Sequence, residues 1–117
     1  MKNKHIAIAA LVWLLSPMAT AETNEAEIQY LLESIGQSQC AFIRNGKTHD
    51  ATEAESHLRM KYRNGKFWVD DAEQFIERIA SKSSWSKKPY YIDCPDTASE
   101  PAGEWLSKKL TALRKKI

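Results

Sequence analysis

Apolar residues recur at helical spacing in four segments of this chain. In residues 24–37 they stand three or four positions apart, which places them along one face of a helix. These residues are Ile28, Leu31, Leu32 and Ile35. The same spacing predicts helices over residues 52–62, over residues 70–80 and from Pro101 to the C-terminus.

Three of these segments begin with residues that are typical of a helix N-terminus. In a capping box, the N-cap side chain accepts a hydrogen bond from the backbone three positions later, where an acidic side chain returns one. This spacing pairs Asn24 with Glu27, Thr52 with Glu55, and Asp70 with Glu73. We therefore predict that Asn24, Thr52 and Asp70 are the N-caps.

Short apolar runs between the helices are typical of strands. Residues 40–44 and residues 90–92 have the aromatic and β-branched content that strands favour. Asn45-Gly46 favours the positive φ angles of a type I′ turn, so we predict that residues 47–49 return as the second strand of a hairpin. The elements together predict a small single α+β domain of about four helices with two or three short strands.

Irregular segments join these elements. We predict an extended apolar link over residues 67–69, a serine-rich loop over residues 81–88 and a second loop over residues 95–101. Trp85 stands alone among serines, so we expect its side chain to be at least partly exposed.

Residues 1–21 have the features of a cleavable signal peptide. Lys2 and Lys4 precede an apolar run that is shorter than the roughly 20 residues a bilayer span requires. Ala19 and Ala21 are the small residues that signal peptidase accepts, so we expect cleavage before Glu22. Residues 22–117 are then the mature domain. An uncleaved membrane anchor is the alternative.

Charge and export together exclude some classes of partner. The predicted signal peptide holds two of the 17 basic residues and none of the 15 acidic ones, so the mature chain is formally neutral. A neutral exported domain lacks the positive field of a nucleic-acid-binding protein. We expect no nucleic-acid partner, no cofactor and no stable membrane insertion after signal cleavage.

Cys40 and Cys94 are the only cysteines of the sequence. Two thiols in one small exported domain usually pair, so we predict a disulfide between them. On the chain-entropy model, closing a loop of this length stabilises the fold by about 4 kcal/mol. A redox-active or metal-binding pair is the alternative, but the Cys-x-x-Cys spacing of such sites is absent.

Several short motifs of the mature chain resemble a family of small exported bacterial proteins of unknown function that includes the YfeK-like periplasmic proteins. The motifs occur in the same order and together cover nearly all of the mature chain. They are Phe42–Gly46, Glu53-Ala54, His57–Arg59 with Lys61, Ala72–Ile76, Ala80-Ser81, Ser83-Ser84 and Lys88–Tyr90.

This resemblance implies a location in the Gram-negative periplasm and implies no activity. The chain departs from the family pattern at Lys87, where a glycine is expected before Lys-Pro-Tyr, so this turn is expected to differ. The cysteine content of similar proteins varies, so the disulfide prediction depends on the redox argument alone.

Two clusters offer candidate chemistry. His49, Glu53 and His57 are spaced by four, which suits a divalent metal if all three share one helical face. Because Thr52 is the predicted N-cap, His49 is expected to lie outside the helix. We therefore favour His57 as a hydrogen-bonded side chain at the edge of the core, and we predict no metal site.

Ser84-Trp85-Ser86-Lys87 matches the Ser-x-x-Lys motif of penicillin-binding enzymes. That motif needs the lysine one helical turn from the serine. Pro89 and the neighbouring serines indicate a loop instead, and the chain is too small for that fold.

The tentative binding residues are Arg44, Asn45, His57, Trp85 and Tyr90. Arg44 follows the first strand at a tight turn, where its guanidinium can bind a carboxylate or a phosphate through two hydrogen bonds. For Arg44 itself, however, we favour an internal ion pair with an acidic residue such as Glu53 or Glu55. Trp68, Trp85, Tyr90 and Tyr91 can form an aromatic surface for a partner or a sugar-like ligand, or they can belong to the core.

These observations favour a non-catalytic binding or accessory protein of the cell envelope. Its partner is expected to be an envelope protein or a small ligand, and Arg44, Trp85 and the loop before Tyr90 are the expected contacts. The alternative is a small hydrolytic or metal-dependent enzyme centred on Glu53 and His57.

Overall fold

The computed structural model of the protein describes residues 21–116. In this part of the chain, four helices pack with a four-stranded antiparallel sheet around one hydrophobic core, so the predicted α+β class is confirmed. The predicted signal peptide lies, apart from residue 21, outside the described residues. Ile117, which ends the predicted apolar stripe of the last helix, also lies outside them.

The predicted helices form, with shifted ends. They are α1 (residues 21–36), α2 (Ala51–Gly65), α3 (Ala72–Phe75) and α4 (Ala102–Lys115). A short 3₁₀ helix, Lys66–Trp68, follows α2, and α3 continues as a π-helical turn over Ile76–Ala80.

The start predicted for the first helix is wrong. Helix α1 already includes residue 21, so Asn24 lies inside it and caps nothing. The Asn24 side chain instead donates a hydrogen bond across the molecule to the backbone oxygen of Asp70, at 3.2 Å.

The predicted caps of α2 and α3 are also wrong, by two residues and by one. Asp50 is the N-cap of α2, and it forms a capping box with Glu53. Asp71 is the N-cap of α3, where its carboxylate accepts a hydrogen bond from the backbone of Gln74 at 2.8 Å. In both cases the cap lies just before the first buried helical residue.

The hairpin prediction is confirmed. Strand β1 (Ala41–Arg44) pairs with β2 (Lys47–His49), and the turn residues Asn45 and Gly46 have φ angles of 52° and 76°. Positive φ at both central residues is the requirement of a type I′ turn.

Two further strands complete the sheet. Strand β3 (Tyr91–Asp93) pairs with β1, and β4 (Glu100–Pro101) pairs with β3, which gives the order β2-β1-β3-β4. The prediction of an unbroken loop over residues 95–101 is therefore wrong at its end. Pairing with β3 draws Glu100 and Pro101 into the sheet.

The link over residues 67–69 is not an extended apolar segment that packs on the core. Residues Lys66–Trp68 form the 3₁₀ helix, and Phe67 and Trp68 are exposed to solvent. Only Val69 packs against the core from this segment.

The core lies between the helices and one face of the sheet. Its largest fully buried side chains are Leu31, Leu32, Ile35, Leu58, Phe75, Ile92 and Leu106. The predicted Cys40–Cys94 disulfide is confirmed; it joins the residue before β1 to the residue after β3, across paired strands.

Candidate functional site

Arg44 and His57 line a small cavity between the hairpin and α2. Phe42, Arg44 and His49 lie on one face of the hairpin because side chains alternate along a strand, and this face is the one Phe42 buries. His57 and Tyr90 also line the cavity, together with Ile43, Ala54 and Leu58. The cavity volume is about 10 Å³, which admits about one water molecule. A larger ligand can therefore bind only at its outer side.

The His57 ring is held in the neutral form. Burial lowers its pKa to about 4, and the positive charges of Arg44 and Lys61 act in the same direction, as does His49. Its ring makes an edge contact with the Tyr90 ring at a centroid distance of 6.5 Å. Among the described residues, His57 makes no hydrogen bond, so the predicted hydrogen-bonded histidine is half-buried but lacks its acceptor.

Glu53 does not join His57 in a site. Its carboxylate is mostly exposed and lies 3.7 Å from the Nδ1 atom of His49. Within residues 21–116, no group of three or more His, Cys, Asp or Glu side chains is placed to hold a metal ion. The arrangement offers no observation that favours the hydrolytic alternative. That alternative predicts zinc in the purified protein, or an activity that is lost in the His57→Ala variant.

The favoured interpretation of Arg44 as the partner of an internal ion pair is wrong for the described chain. Glu53 pairs with His49, and Glu55 pairs with Arg59 at 2.8 Å, so neither carboxylate reaches Arg44. In residues 21–116 the Arg44 guanidinium has no acidic partner. It is half-buried and available to an anion from outside.

Lys61 connects α2 to the serine-rich loop. Its ammonium donates to the backbone oxygens of Ile79 and Lys82 and to the Tyr90 hydroxyl, at 2.7, 2.9 and 3.0 Å. Burial lowers the pKa of Lys61 to about 8, and the charges of Arg44 and Lys87 add to this effect. Tyr90, one of the tentative binding residues, is thus a buried acceptor for Lys61.

Asn45 connects the hairpin turn to the same loop. Its amide nitrogen lies 3.4 Å from the Ser83 hydroxyl, and its amide oxygen accepts a hydrogen bond from Ser86. The tentative binding residue Asn45 therefore holds the loop against the turn. Residues 84–86 form a turn and not a helix, so the Ser-x-x-Lys motif lacks the helical geometry that the penicillin-binding enzymes use.

Three large aromatic side chains stand out from the surface. Phe67, Trp85 and Trp68 are 95%, 91% and 74% exposed, which confirms the expected exposure of Trp85. Trp68 lines a groove of about 420 Å³. We call this the Trp68 groove; it is lined by Met60, Lys61, Asn64, Gly65, Trp68, Arg78, Ile79 and Ser84. One of these residues, Ser84, is the chain neighbour of Trp85.

The sequence pointed to Trp68 and Trp85 and missed the roles of Arg78 and Phe67. Arg78 has the sequence features of an ordinary exposed position of the third helix, yet it donates to the backbone oxygen of Trp68 at 2.6 Å. Phe67 follows the helix-ending Asn64-Gly65 pair and precedes the next N-cap. An aromatic residue in such a place can turn inward or outward, so the sequence gives no signal for its exposure.

The sequence profile of a family of unknown function, DUF5329, matches residues 22–114. The chain belongs to this family. A curated relative, the uncharacterized protein YfeK of Salmonella typhimurium, is 43% identical over 91 residues, which cover 74% of this chain and 76% of the relative. The resemblance stated from the motifs is thereby confirmed. No solved structure matches this member of the family.

Membership of DUF5329 assigns no catalytic residues to this chain, so the candidate site rests on the geometry of this chain alone. In the part of the chain that the structure describes, no helix is both long enough and apolar enough to cross a bilayer. The described part of the chain presents two candidate surfaces: the cavity mouth at Arg44 and the Trp68 groove.

Proposed function

We propose that this protein is a non-catalytic binding module of the bacterial cell envelope whose contact surface is the Trp68 groove together with Trp85. The observation that carries the proposal is the exposure of Phe67, Trp68 and Trp85. A domain this small needs its large apolar side chains inside, so three exposed aromatic side chains, of which Trp68 lines a groove, favour an interaction surface.

The cationic groups of the groove indicate the chemistry of the partner. Arg78 is held beside Trp68 by its hydrogen bond to the Trp68 backbone, and it bonds Gln74 at 3.4 Å. Among the described residues Arg78 has no acidic partner. Tryptophan and arginine are the residues that most often dominate binding energy at protein interfaces.

The occupant that fits this surface is a polypeptide segment of another envelope protein, with an apolar side chain for the groove and an acidic side chain for Arg78. Opposite charge across an interface speeds association and selects the partner. A neutral glycan can stack on the tryptophans, but it gives Arg78 no charge to pair with.

The proposal also includes a location in the periplasm. The signal-like residues 1–21 and the family resemblance support export to the periplasm, and the Cys40–Cys94 disulfide fits an oxidising compartment. We expect protein purified from the periplasm to begin at Glu22 and to show no free thiol by intact mass spectrometry. A chain that still begins at Met1 contradicts the proposed location.

Photo-crosslinking in living cells tests the contact surface. A photoreactive amino acid at position 85 should form an adduct with one envelope protein, and the adduct should map to an acidic segment of it. Trp68→Ala and Arg78→Gln should each reduce the adduct at least fivefold.

Tyr91→Ala is the matched control, since Tyr91 is an exposed aromatic residue on β3 and outside the groove. The control should leave the adduct unchanged. An adduct that is insensitive to Trp68→Ala and Arg78→Gln, or one that forms only with glycan, overturns the proposal.

A further inference from the structure

Basic side chains gather around the turn between β1 and β2. Arg44 and Lys47 are direct cross-strand partners on the same face of the hairpin. Like charges in directly opposite positions destabilise a sheet. We call Arg44, Lys47 and Lys87, with the adjoining His57, the Arg44 cluster.

Two members of the cluster act on the same neighbouring side chain. The Arg44 charge contributes to the lowered pKa of both His57 and Lys61, and the Lys87 charge contributes to that of Lys61. Arg44 and Lys87 are thus both near enough to Lys61 for their charges to affect it. Its own ammonium is fully used by three oxygen acceptors, which leaves it as a fixed background charge.

Acidic side chains do not compensate this charge. In residues 21–116, the ion pairs of Glu53 and Glu55 go to His49 and Arg59, and none reaches Arg44, Lys47 or Lys87. Arg44, Lys47 and Lys87 thus lie on a hairpin and a loop that are tied together, and the described chain gives none of the three an ion-pair partner. Like charges without a counter-ion lower the stability of the free protein, and a bound anion offsets this loss.

The geometry is maintained by contacts that do not involve the charges. Asn45 ties the hairpin turn to Ser83 and Ser86 of the loop. The backbone nitrogen of Lys87 donates to the oxygen of Ser83 at 3.0 Å. The hairpin that carries Arg44 and the loop that carries Lys87 are therefore fixed relative to each other before any ligand arrives.

We propose that the Arg44 cluster is a binding site for a phosphoryl group. A phosphate monoester carries about −1.5 to −2 charges at neutral pH, so it balances Arg44, Lys47 and Lys87 better than a single carboxylate does. The planar guanidinium matches two phosphate oxygens, and the two lysines supply charge without a fixed geometry. This site is separate from the Trp68 groove and does not depend on the function proposed for that groove.

The test is a titration of the mature protein with inorganic phosphate, followed by NMR of the backbone amides. At constant ionic strength set with chloride, phosphate should shift the amides of Arg44, Lys47 and Lys87 in a saturable manner. Acetate should bind at least fivefold more weakly. Arg44→Gln should weaken phosphate binding about tenfold, and Arg44→Lys should recover only part of the loss because it keeps the charge without the planar fork.

Lys116→Gln is the control of equal charge, because Lys116 is exposed at the end of α4. It should change the phosphate affinity less than twofold. Equal effects of Arg44→Gln and Lys116→Gln, or equal shifts with chloride and phosphate, overturn the proposal. If Arg44→Gln fails to fold, Lys47→Gln replaces it, since the Lys47 side chain is exposed.

Two further arms distinguish the source of the phosphoryl group. Co-sedimentation with phosphatidylglycerol vesicles, compared with phosphatidylcholine vesicles, tests a lipid headgroup, and competition by soluble glycerol phosphate tests a small ester. Arg44-dependent binding in either arm supports the site and identifies its source. Absence of Arg44-dependent binding in both arms, and with inorganic phosphate, overturns it.

Discussion

Lys87 adopts a backbone conformation that side chains other than glycine rarely take. Its φ angle is 64°, in the left-handed region that favours glycine. In this conformation the Cβ atom approaches the following carbonyl oxygen, at a cost of about 1–2 kcal/mol. The serine contacts and the hydrogen bond to Ser83 hold the turn in spite of this strain.

Replacement of Lys87 by glycine should therefore stabilise the protein. We expect a gain of about 0.5–1 kcal/mol in the free energy of unfolding, because relief of strain exceeds the larger entropy that glycine loses on folding. Urea denaturation measures this difference. Lys88→Gly is the control: Lys88 does not have a positive φ, so the same change there should destabilise the protein slightly. Equal effects at both positions contradict the argument.

His57 makes the stability depend on pH. Its pKa is lowered to about 4 from an ordinary value of 6.5, by burial first and then by Arg44, Lys61 and His49. Between pH 6.5 and 4 the unfolded chain binds a proton that the folded chain does not. The stabilisation is thus complete above pH 6.5 and is lost as the pH falls toward 4.

Solvent reaches part of the His57 ring and screens its charge. We therefore expect the free energy of unfolding to fall by about 1–2 kcal/mol between pH 6.5 and pH 4. Urea denaturation of the wild type and of His57→Gln at a series of pH values measures it. The glutamine variant should show a smaller decrease between pH 6.5 and 4. Parallel curves for the two proteins would falsify the assignment.

At the scale of elements, three helices meet through one arginine. Arg114 of α4 donates to both carboxylate oxygens of Glu27 in α1 at 2.9 Å, and to both oxygens of Glu73 in α3 at 2.7 and 3.0 Å. Glu27 is buried, so its charge depends on this partner.

Arg114→Met should cost about 2–3 kcal/mol of unfolding free energy, because it leaves a buried carboxylate without its partner. Arg114→Lys should recover only part of this, since a lysine cannot donate to both carboxylates through a planar fork. Lys115→Met is the matched control and should change the stability by less than about 0.5 kcal/mol. Thermal and urea denaturation give the comparison; a similar loss in the control variant contradicts the role of Arg114.

At the scale of the whole molecule, the disulfide closes the chain around the sheet. Cys40 and Cys94 are separated by 54 positions, and this interval contains β1, β2, α2, α3 and β3. Both ends of the interval lie beside the paired strands β1 and β3. The crosslink thus limits the freedom of more than half of the described chain when it unfolds.

Reduction, or replacement of both cysteines by serine, should lower the free energy of unfolding by about 4 kcal/mol on the chain-entropy model. Urea denaturation of the oxidised, reduced and double-serine proteins measures it. Ser107→Ala on α4 serves as a mutational control outside the loop and should lose less than about 1 kcal/mol. A reduced protein as stable as the oxidised one contradicts this account.

Much of the fold could be predicted because burial imposes a period on the chain. Ile28, Leu58, Phe75 and Leu106 all lie in the core, as the helical stripes indicate. The helix starts could not be placed as well, because Asp50 and Thr52 both suit an N-cap and only the packing of Ala51 against the core decides between them.

The candidate sites were harder to predict because they depend on the choice of partner. From the sequence spacing, Glu53 and Glu55 are equally suitable ion-pair partners for Arg44. In the structure these carboxylates pair with His49 and Arg59 instead. The exposure of Phe67 could not be inferred either, since an apolar side chain after a helix can turn inward or outward.

The amino-acid sequence by itself determined the α+β class, the hairpin at Asn45-Gly46 and the family, because these follow from local periodicity, turn chemistry and motif order. The tertiary structure decided which charges are paired and which remain available. Ion pairs and grooves join residues that are distant in the chain, and their geometry is set only when the helices pack on the sheet.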